Sequence, residues 1–166
     1  MQHYDWSQFT KRIDINASLK DIFNAWSTQA GLEKWFLRTA SFLTEEGKKR
    51  GKSDHVQQGD QYKWLWYGYS DDTAENGKVL DTNQVDTIQF SFAGDCIVTV
   101  TIKKEGGTHI VELTQSEIPT TDEAKAKYHL DCMAGWTFYL ANLKSILESG
   151  PDLRNKNESL KGMLNS

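Results

Sequence analysis

The chain has 166 residues, which suits a single domain of the usual size of roughly 100–150 residues. Aromatic residues make up 11% of the sequence, and this apolar surface offsets the entropy lost on ordering, which excludes a disordered chain. The net charge of −4 argues against a nucleic-acid partner, because proteins that bind nucleic acids usually present a basic surface.

The features that report on cellular location favour the cytoplasm. No apolar run approaches the ~18 residues of a membrane-spanning helix, and residues 1–10 lack the pattern of a secretory signal. Cys96 and Cys132 are too few for a disulfide framework and are interpreted as reduced, buried thiols. The basic run from Lys48 to Lys52 is interpreted as a solvated loop, because no aromatic residue interleaves with it. We therefore expect a cytoplasmic protein without a membrane span.

The first part of the sequence predicts a strand followed by two short helices. Ile13 and Ile15 alternate with polar residues, as in a half-buried strand that begins at Phe9. Ser18 is a typical residue for the start of a helix, and Thr28 is a typical start for a second one. Gly31 weakens the second helix, so we expect it to be brief.

The middle of the sequence predicts an antiparallel meander. Apolar residues alternate with polar ones in several short segments, and glycine-containing turns separate them. The segment Glu75–Lys78 contains Asn76-Gly77 and is predicted to be a tight turn. The predicted strands, besides a short one at Phe42-Leu43, are Gln61–Ser70, Lys78–Asp81, Thr87–Phe92, Cys96–Lys103 and Thr108–Ser116.

The last predicted element of the domain is one long helix. Thr120 and Glu123 fit a capping box at its start, and Gly150 provides its end. An apolar stripe recurs at steps of three and four residues, which predicts that one side of the helix is buried along its whole length; it contains Met133, Trp136, Leu140, Leu143 and Leu147. We expect one domain over residues 1–150 and a polar tail over residues 151–166 that is loose or forms a short surface helix.

Two segments of the sequence resemble a known family. Residues Ile13 to Phe36 read IDINASLKDIFNAWSTQAGLEKWF, which is similar to the opening of the START-like (SRPBCC) superfamily. Residues Gly135 to Gly150 read GWTFYLANLKSILESG, which resembles a narrower group, the homologues of the activator of the heat-shock-chaperone ATPase. Gly106-Gly107-Thr108 and Gly77-Lys78-Val79-Leu80 also fit this group. The resemblance spans residues 9–150.

The resemblance implies an α+β helix-grip fold like that of the birch-pollen allergen. In this fold a curved antiparallel sheet wraps around the long C-terminal helix, with two short helices after the first strand, often leaving a hydrophobic cavity. The abundant aromatic residues, including Trp26, Trp35 and Tyr139, fit either such a cavity or a packed core. The residues that we expect to line a ligand cavity are Tyr62, Trp64, Trp66, Phe90, Phe92, His129, Met133, Trp136 and Leu140.

The sequence offers little support for a metal, a cofactor or a catalytic centre. The four histidines are scattered and the cysteines lie outside any Cys-x-x-Cys pattern, so we expect no metal and no cofactor. No Gly-x-Ser-x-Gly elbow or phosphate-binding loop occurs. His129, with Tyr128 and Asp131 beside it, could act as an acid or base, but a polar group capping the core explains it better. No catalytic residue is therefore assigned.

Three functions remain open at this point. The first is a non-catalytic START-like domain that binds a lipid or another small hydrophobic molecule between the sheet and the helix. The second is a co-chaperone-like interaction domain that regulates a heat-shock chaperone ATPase. The third is an enzyme of the cyclase or dehydratase kind that uses the same cavity with His129 and Tyr62. A pocket larger than roughly 300 Å³ favours the first and third functions over the second.

Overall fold

The computed structural model describes residues 3–166 and contains a seven-stranded antiparallel sheet with helices on one face. The strands are β1 (Phe9–Ile15), β2 (Thr39–Leu43), β3 (Gln61–Leu65), β4 (Glu75–Thr82), β5 (Thr87–Phe92), β6 (Cys96–Glu105) and β7 (Thr108–Ser116). The helical elements are α1 (Leu19–Ser27), α2 (Gln29–Trp35), α3 (Asp122–Ala124), a π-helical segment (Lys125–Asp131) and α4 (Cys132–Leu147). Residues 1 and 2 of the expected domain over residues 1–150 lie outside the described part of the chain.

The strand order is β1-β7-β6-β5-β4-β3-β2, so the first strand pairs with the last one. Burial alternates along β6, because successive side chains of a strand point to opposite faces. The inner face carries Cys96, Val98, Val100 and Ile102, as their spacing predicts. β4 joins two halves of the sheet, because its first residues pair with β3 and its later residues pair with β5. A register shift between Val79 and Asp81 marks this change of partner, and such irregularities bend a strand.

Several of the predicted strand limits are wrong, most clearly in β3 and β4. β3 ends at Leu65 rather than at Ser70, because the chain turns at Gly68, whose φ of +81° lies in the left-handed region. The expected tight turn at Glu75–Lys78 is instead the start of β4. Gly77 lies opposite Tyr62 in the pairing of β3 with β4, and a Cβ atom there would meet Cε1 of Tyr62 at 2.6 Å. Gly77 is therefore needed to let the Tyr62 ring lie across β4.

The two short helices start where the sequence predicts. The hydroxyl of Ser18 accepts a hydrogen bond from the backbone N–H of Asp21 at 3.1 Å, and that of Thr28 accepts one from Gly31 at 2.9 Å. Gly31 has a second role that its low helix propensity does not reveal. A Cβ atom at this position would lie 2.9 Å from the Cα of Ala25, so glycine allows α1 and α2 to pack closely.

The long closing helix is not a single continuous α-helix. It begins one residue later than predicted, because Thr121 rather than Thr120 caps it by accepting from the backbone N–H of Ala124 at 3.2 Å. A π-helical segment then interrupts it before α4. Within that segment, the carbonyl of Tyr128 accepts a hydrogen bond from the buried side chain of Gln115 on β7 at 3.0 Å. The sheet thus supplies a partner for a carbonyl in the irregular part of the helix.

α4 packs its apolar stripe against the inner face of the sheet. Trp136, Tyr139, Leu140 and Leu143 are buried, whereas Met133 is half-buried. The core lies between this stripe, the inner side of the sheet, and α1 and α2. The fold is therefore α+β and helix-grip-like, as the resemblance implies.

The polar tail is anchored rather than loose, and it forms no helix. This carboxy-terminal segment (residues 151–166) is held mainly by Arg154, whose side chain is only 2% exposed. The Arg154 guanidinium donates hydrogen bonds to the carbonyls of Glu33, Lys34 and Leu37 at the end of α2, at 2.9–3.1 Å. Buried Asn142 of α4 adds a second anchor by accepting from the backbone N–H of Leu153 at 2.8 Å.

The basic run between β2 and β3 is solvated only in part. Lys48 and Lys49 are exposed, as interpreted from the sequence. Arg50 instead turns inward and forms a bidentate ion pair with Asp60, which is 1% exposed. The reason is that the buried Asp60 carboxylate needs a charged partner.

Candidate functional site

The predicted walls of a central cavity contact one another. The ring centroids of Trp64 and Phe90 are 5.1 Å apart, and those of Phe92 and Trp136 are 5.2 Å apart. Tyr62 stacks on Trp64 with a centroid separation of 3.8 Å. The centre of the space between sheet and helix is therefore a packed aromatic core. Four of the nine expected site residues lie in this core and are buried; they are Tyr62, Trp64, Phe90 and Leu140.

An open groove lies beside this core, along α4. Its volume is about 1040 Å³, and its lining is mainly apolar. Four of the expected site residues are brought together in it, namely Trp66, Phe92, Met133 and Trp136. Each predicted wall thus contributes at least one residue to the groove. The groove itself lies nearer to solvent than the centre of the fold.

Phe36 forms the floor of the groove and was not predicted as a site residue. It caps the end of α2, where its backbone N–H bonds to the carbonyl of Leu32 at 2.9 Å. Its ring lies 5.0 Å from the rings of both Trp136 and Tyr139 and 5.6 Å from that of Trp66. The end of a short helix therefore places one ring among three aromatic residues from two other parts of the chain.

The outer wall of the groove comes from two irregular segments. Tyr69 follows the turn at Gly68, and Met163, Leu164 and Ser166 belong to the carboxy-terminal segment. The hydroxyl of Tyr139 on α4 donates a hydrogen bond to the carbonyl of Ser166 at 2.7 Å, which ties this segment to the helix. Tyr69 was not predicted as a site residue because the sequence placed it in the strand Gln61–Ser70, which ends at Leu65 instead. Met163, Leu164 and Ser166 were not predicted because the polar tail has no periodic pattern that assigns a face.

His129 lies away from the groove, in a closed aromatic pocket near the amino terminus. It is fully buried, and the rings of Tyr4, Trp6 and Phe9 surround it at centroid separations of 5.1–5.3 Å. Because a carbonyl can only accept, Nδ1 donates to the carbonyl of Trp6 at 3.0 Å, and Nε2 accepts from the Tyr4 hydroxyl at 2.7 Å. Both ring nitrogens are thus satisfied within the fold.

The two cysteines differ in their access to the groove. Cys132 is half-buried and lines the groove, whereas Cys96 is buried on the inner face of β6, which lies between β5 and β7 in the sheet. Burial raises the pKa of the Cys132 thiol to about 11 and also raises the pKa of Cys96. At neutral pH both are therefore thiols, which are poor nucleophiles.

Charged groups are few at the groove. Lys11 of β1 and Asp131 at the end of the π-helical segment are the charged side chains in its lining. Among residues 3–166, no group of three or more histidine, cysteine, aspartate and glutamate side chains is placed to hold a metal ion. In the same residues, no helix is both long and apolar enough to cross a membrane.

Solved structures with the same fold come from several bacteria. A protein from Staphylococcus saprophyticus superposes with a TM-score of 0.69 at 18% identity, over 89% of this chain and 96% of that one. The Aha1 dimer from Colwellia psychrerythraea gives a TM-score of 0.65 at 23% identity, over 86% and 97% of the two chains. A protein from Mesorhizobium loti gives 0.63 at 14% identity, over 87% and 98%.

The sequence comparisons extend this likeness from fold to family. No protein of curated function is significantly similar to the chain in sequence. Residues 16–148, however, match the family described as Activator of Hsp90 ATPase homolog 1-like protein, within the START-like (SRPBCC) superfamily. This match covers α1 to α4 and all strands except β1. The chain therefore belongs to the family of Activator of Hsp90 ATPase homolog 1-like proteins.

Proposed function

We propose that this domain binds a small hydrophobic molecule in the groove beside α4 and does not transform it. The observation that carries the proposal is the groove itself, with a volume of about 1040 Å³ and an aromatic wall. Small-molecule sites are typically apolar clefts of about 300–1,000 Å³ with few polar groups. The half-buried rings of Trp66 and Phe92 would lose their remaining contact with water when a ligand binds.

The groove lacks the features of an activated catalytic centre. Its one thiol, Cys132, is held in the neutral form by burial, which raises its pKa to about 11. The acid–base pair expected for a cyclase or dehydratase also points elsewhere. His129 is enclosed by the amino-terminal aromatic residues, and the Tyr62 hydroxyl donates to the carbonyl of Ser91. These contacts favour binding over catalysis.

A neutral fluorescent probe tests the proposal, and N-phenyl-1-naphthylamine is suitable. We expect saturable binding with one probe per chain and energy transfer from tryptophan, since Trp66 and Trp136 line the groove. At a hundredfold excess of probe over the dissociation constant, stability rises by about 2.7 kcal/mol through mass action. The bound probe should also slow the labelling of Cys132, which lines the groove, without changing the labelling of buried Cys96.

A matched pair of variants locates the probe. A side chain added at Gly135 enters open space, because no heavy atom lies within 4 Å of the position of its Cβ, and Gly135 lines the groove. Gly135→Trp should therefore fill the groove and abolish binding without a clash at its Cβ atom. Ala126→Trp adds the same ring at an exposed position of the π-helical segment outside the groove and should leave binding unchanged. Equal binding by both variants would place the probe elsewhere and contradict the proposal.

A second candidate function, docking onto a chaperone, has its own support. The family match names an activator of the Hsp90 ATPase, and the rim of the groove carries exposed apolar side chains. Leu130 is 46% exposed and Tyr69 is 58% exposed at this rim. Exposed apolar residues grouped at one place are typical of interaction sites.

An ATPase assay separates this second candidate from the first. If the domain docks through the groove rim, adding it to Hsp90 changes the ATPase rate, and Leu130→Ser abolishes the effect. Leu43→Ser is the matched control, because Leu43 is 43% exposed on β2 and does not border the groove. An unchanged ATPase rate with the unmodified domain would reject the chaperone function, whatever the result of the probe experiment.

A further inference from the structure

The carboxy-terminal segment is fixed at one end and folds back on itself. Arg154 and Asn142 hold its first residues against α2 and α4. Beyond this anchor, the backbone N–H of Asn155 donates to the carbonyl of Asn165 at 2.6 Å. The side-chain amide of Asn165 in turn donates to the carbonyl of Leu153 at 2.7 Å. These bonds close residues 155–165 into a loop whose two ends lie side by side.

The closure of this loop brings its last residues back to the groove. Met163, Leu164 and Ser166 line the groove, and the Tyr139 hydroxyl holds the carbonyl of Ser166 at 2.7 Å. Gly68 approaches Ser166 closely from the side of the sheet, because a Cβ atom at Gly68 would meet Oγ of Ser166 at 2.7 Å. The position of the outer wall is thus set by contacts with both α4 and the turn after β3.

Leu164 is notable because it is apolar and nevertheless 86% exposed. Met163 beside it is 42% exposed. Both residues belong to the lining of the groove. Leu160 of the same loop is also exposed, at 44%, but it does not line the groove.

We propose that the carboxy-terminal part of the outer wall belongs to the ligand site and that Met163 and Leu164 contact the bound hydrophobic molecule directly. The anchor at Arg154 and the closure between Asn155 and Asn165 hold these two side chains in place. This inference rests on the proposed function and adds to it: the segment after α4 contributes to affinity. A ligand that covers Leu164 removes its side chain from water, which favours the bound state.

The test compares two leucines of the same loop by equilibrium titration with N-phenyl-1-naphthylamine. Covering a leucine side chain is worth roughly a tenfold change in affinity, so we expect Leu164→Ser to weaken binding about tenfold. Leu160→Ser makes the same chemical change outside the groove and should alter the dissociation constant less than twofold. A variant that ends at Asn155 keeps Arg154 and its anchor but lacks the carboxy-terminal part of the outer wall, and it should bind at least as weakly as Leu164→Ser.

The outcomes distinguish this inference from the proposed function. If the unmodified protein does not bind the probe saturably, the proposed function fails, and this inference fails with it. If the unmodified protein binds but Leu164→Ser and the shortened variant match Leu160→Ser, the groove is a ligand site without this outer wall, and only the inference is overturned. Tighter binding by the shortened variant would also overturn it, because the segment would then obstruct the groove. Unchanged far-UV circular dichroism establishes that each variant is folded.

Discussion

Trp136 connects the helix to the sheet through both its ring and its indole nitrogen. The ring lies 5.0 Å from that of Phe36 and 5.2 Å from that of Phe92, measured between centroids. Its N–H donates to Oε1 of Gln115 at 3.0 Å, and this glutamine is fully buried. Removing the side chain would therefore leave a cavity and also an unpaired buried acceptor.

We expect Trp136→Ala to lower the free energy of unfolding by about 3–5 kcal/mol, as for other large-to-small changes in a core. Trp136→Phe keeps most of the ring contacts but loses the hydrogen bond to Gln115, so it should cost about 1–3 kcal/mol. Urea unfolding followed by circular dichroism measures both values. A loss below 1 kcal/mol for Trp136→Ala would show that the ring is not packed as described.

Asp152 is the residue at which pH acts on the carboxy-terminal segment. Burial alone would raise the pKa of its carboxyl group, but hydrogen bonds from Arg154 and Lys156 outweigh burial and hold the pKa well below its usual range. A carboxylate whose pKa is lower in the folded state stabilises the fold above its unfolded pKa of about 3.9. This contribution is lost as the pH falls toward the folded pKa.

The difference in unfolding free energy between the unmodified protein and Asp152→Asn should therefore depend on pH. It should be constant between about pH 5 and pH 8, where the carboxyl group is ionised in both states. Below about pH 4 the difference should shrink, because the unfolded state then takes up the proton first. Urea unfolding at a series of pH values measures it, and a difference that stays constant down to pH 3 would contradict this account.

At the scale of elements, two glycines in helices have opposite roles. Gly31 lies at the contact between α1 and α2, where a Cβ atom would be 2.9 Å from the Cα of Ala25 and 2.8 Å from Oγ1 of Thr28. Gly135 in α4 faces open space, with no heavy atom within 4 Å of its Cβ position. Helix propensity alone would predict that alanine stabilises both sites by up to about 1 kcal/mol.

We expect the two alanine substitutions to have opposite signs. Gly31→Ala should destabilise the protein by about 1–3 kcal/mol, because the close approach of α1 and α2 must open. Gly135→Ala should stabilise it by up to about 1 kcal/mol, because only the helix propensity changes. Thermal unfolding of both variants under one set of conditions is the measurement. A stabilising effect of Gly31→Ala would mean that the two helices are farther apart than described.

Some features of the elements could be predicted from the sequence, and others could not. Local chemistry identified the starts of α1 and α2, because Ser18 and Thr28 bond to backbone groups only three residues away. The spacing of apolar residues likewise predicted the buried faces of β6 and α4. The interruption before α4 was missed, because the partner that the Tyr128 carbonyl finds, Gln115, belongs to another element.

The candidate site was predicted less completely than the fold, for a related reason. Periodicity identified the elements that face inward but not the depth at which each side chain lies. It therefore grouped buried Trp64 with half-buried Trp66, although only Trp66 reaches the groove. The carboxy-terminal part of the outer wall depends on Arg154, one of several charged residues in a polar segment. Its inward position could be predicted only from its partners, the backbone carbonyls at the end of α2.

At the scale of the whole molecule, one aromatic core spans both halves of the sheet. The pairing of β3 with β4 covers only four residues of β3, from Gln61 to Trp64, so hydrogen bonding between the two halves is limited. Side-chain contacts compensate for this. The centroid of the Trp64 ring lies 6.3 Å from that of Phe42 on β2 and 5.1 Å from that of Phe90 on β5. The β2–β3 part of the sheet is thus joined to the rest by packing as well as by backbone hydrogen bonds.

We therefore expect the whole domain to unfold in one cooperative transition. Tryptophan fluorescence reports on the core, because Trp26, Trp35, Trp64 and Trp136 are all at most 2% exposed, and far-UV circular dichroism reports on the backbone. Urea curves from the two probes should coincide in both midpoint and slope. Trp64→Ala should lower the common midpoint and leave the curves coincident if other contacts still join the two halves. An earlier fluorescence transition in the unmodified protein would contradict this expectation, because the β2–β3 part would then unfold separately despite the shared core.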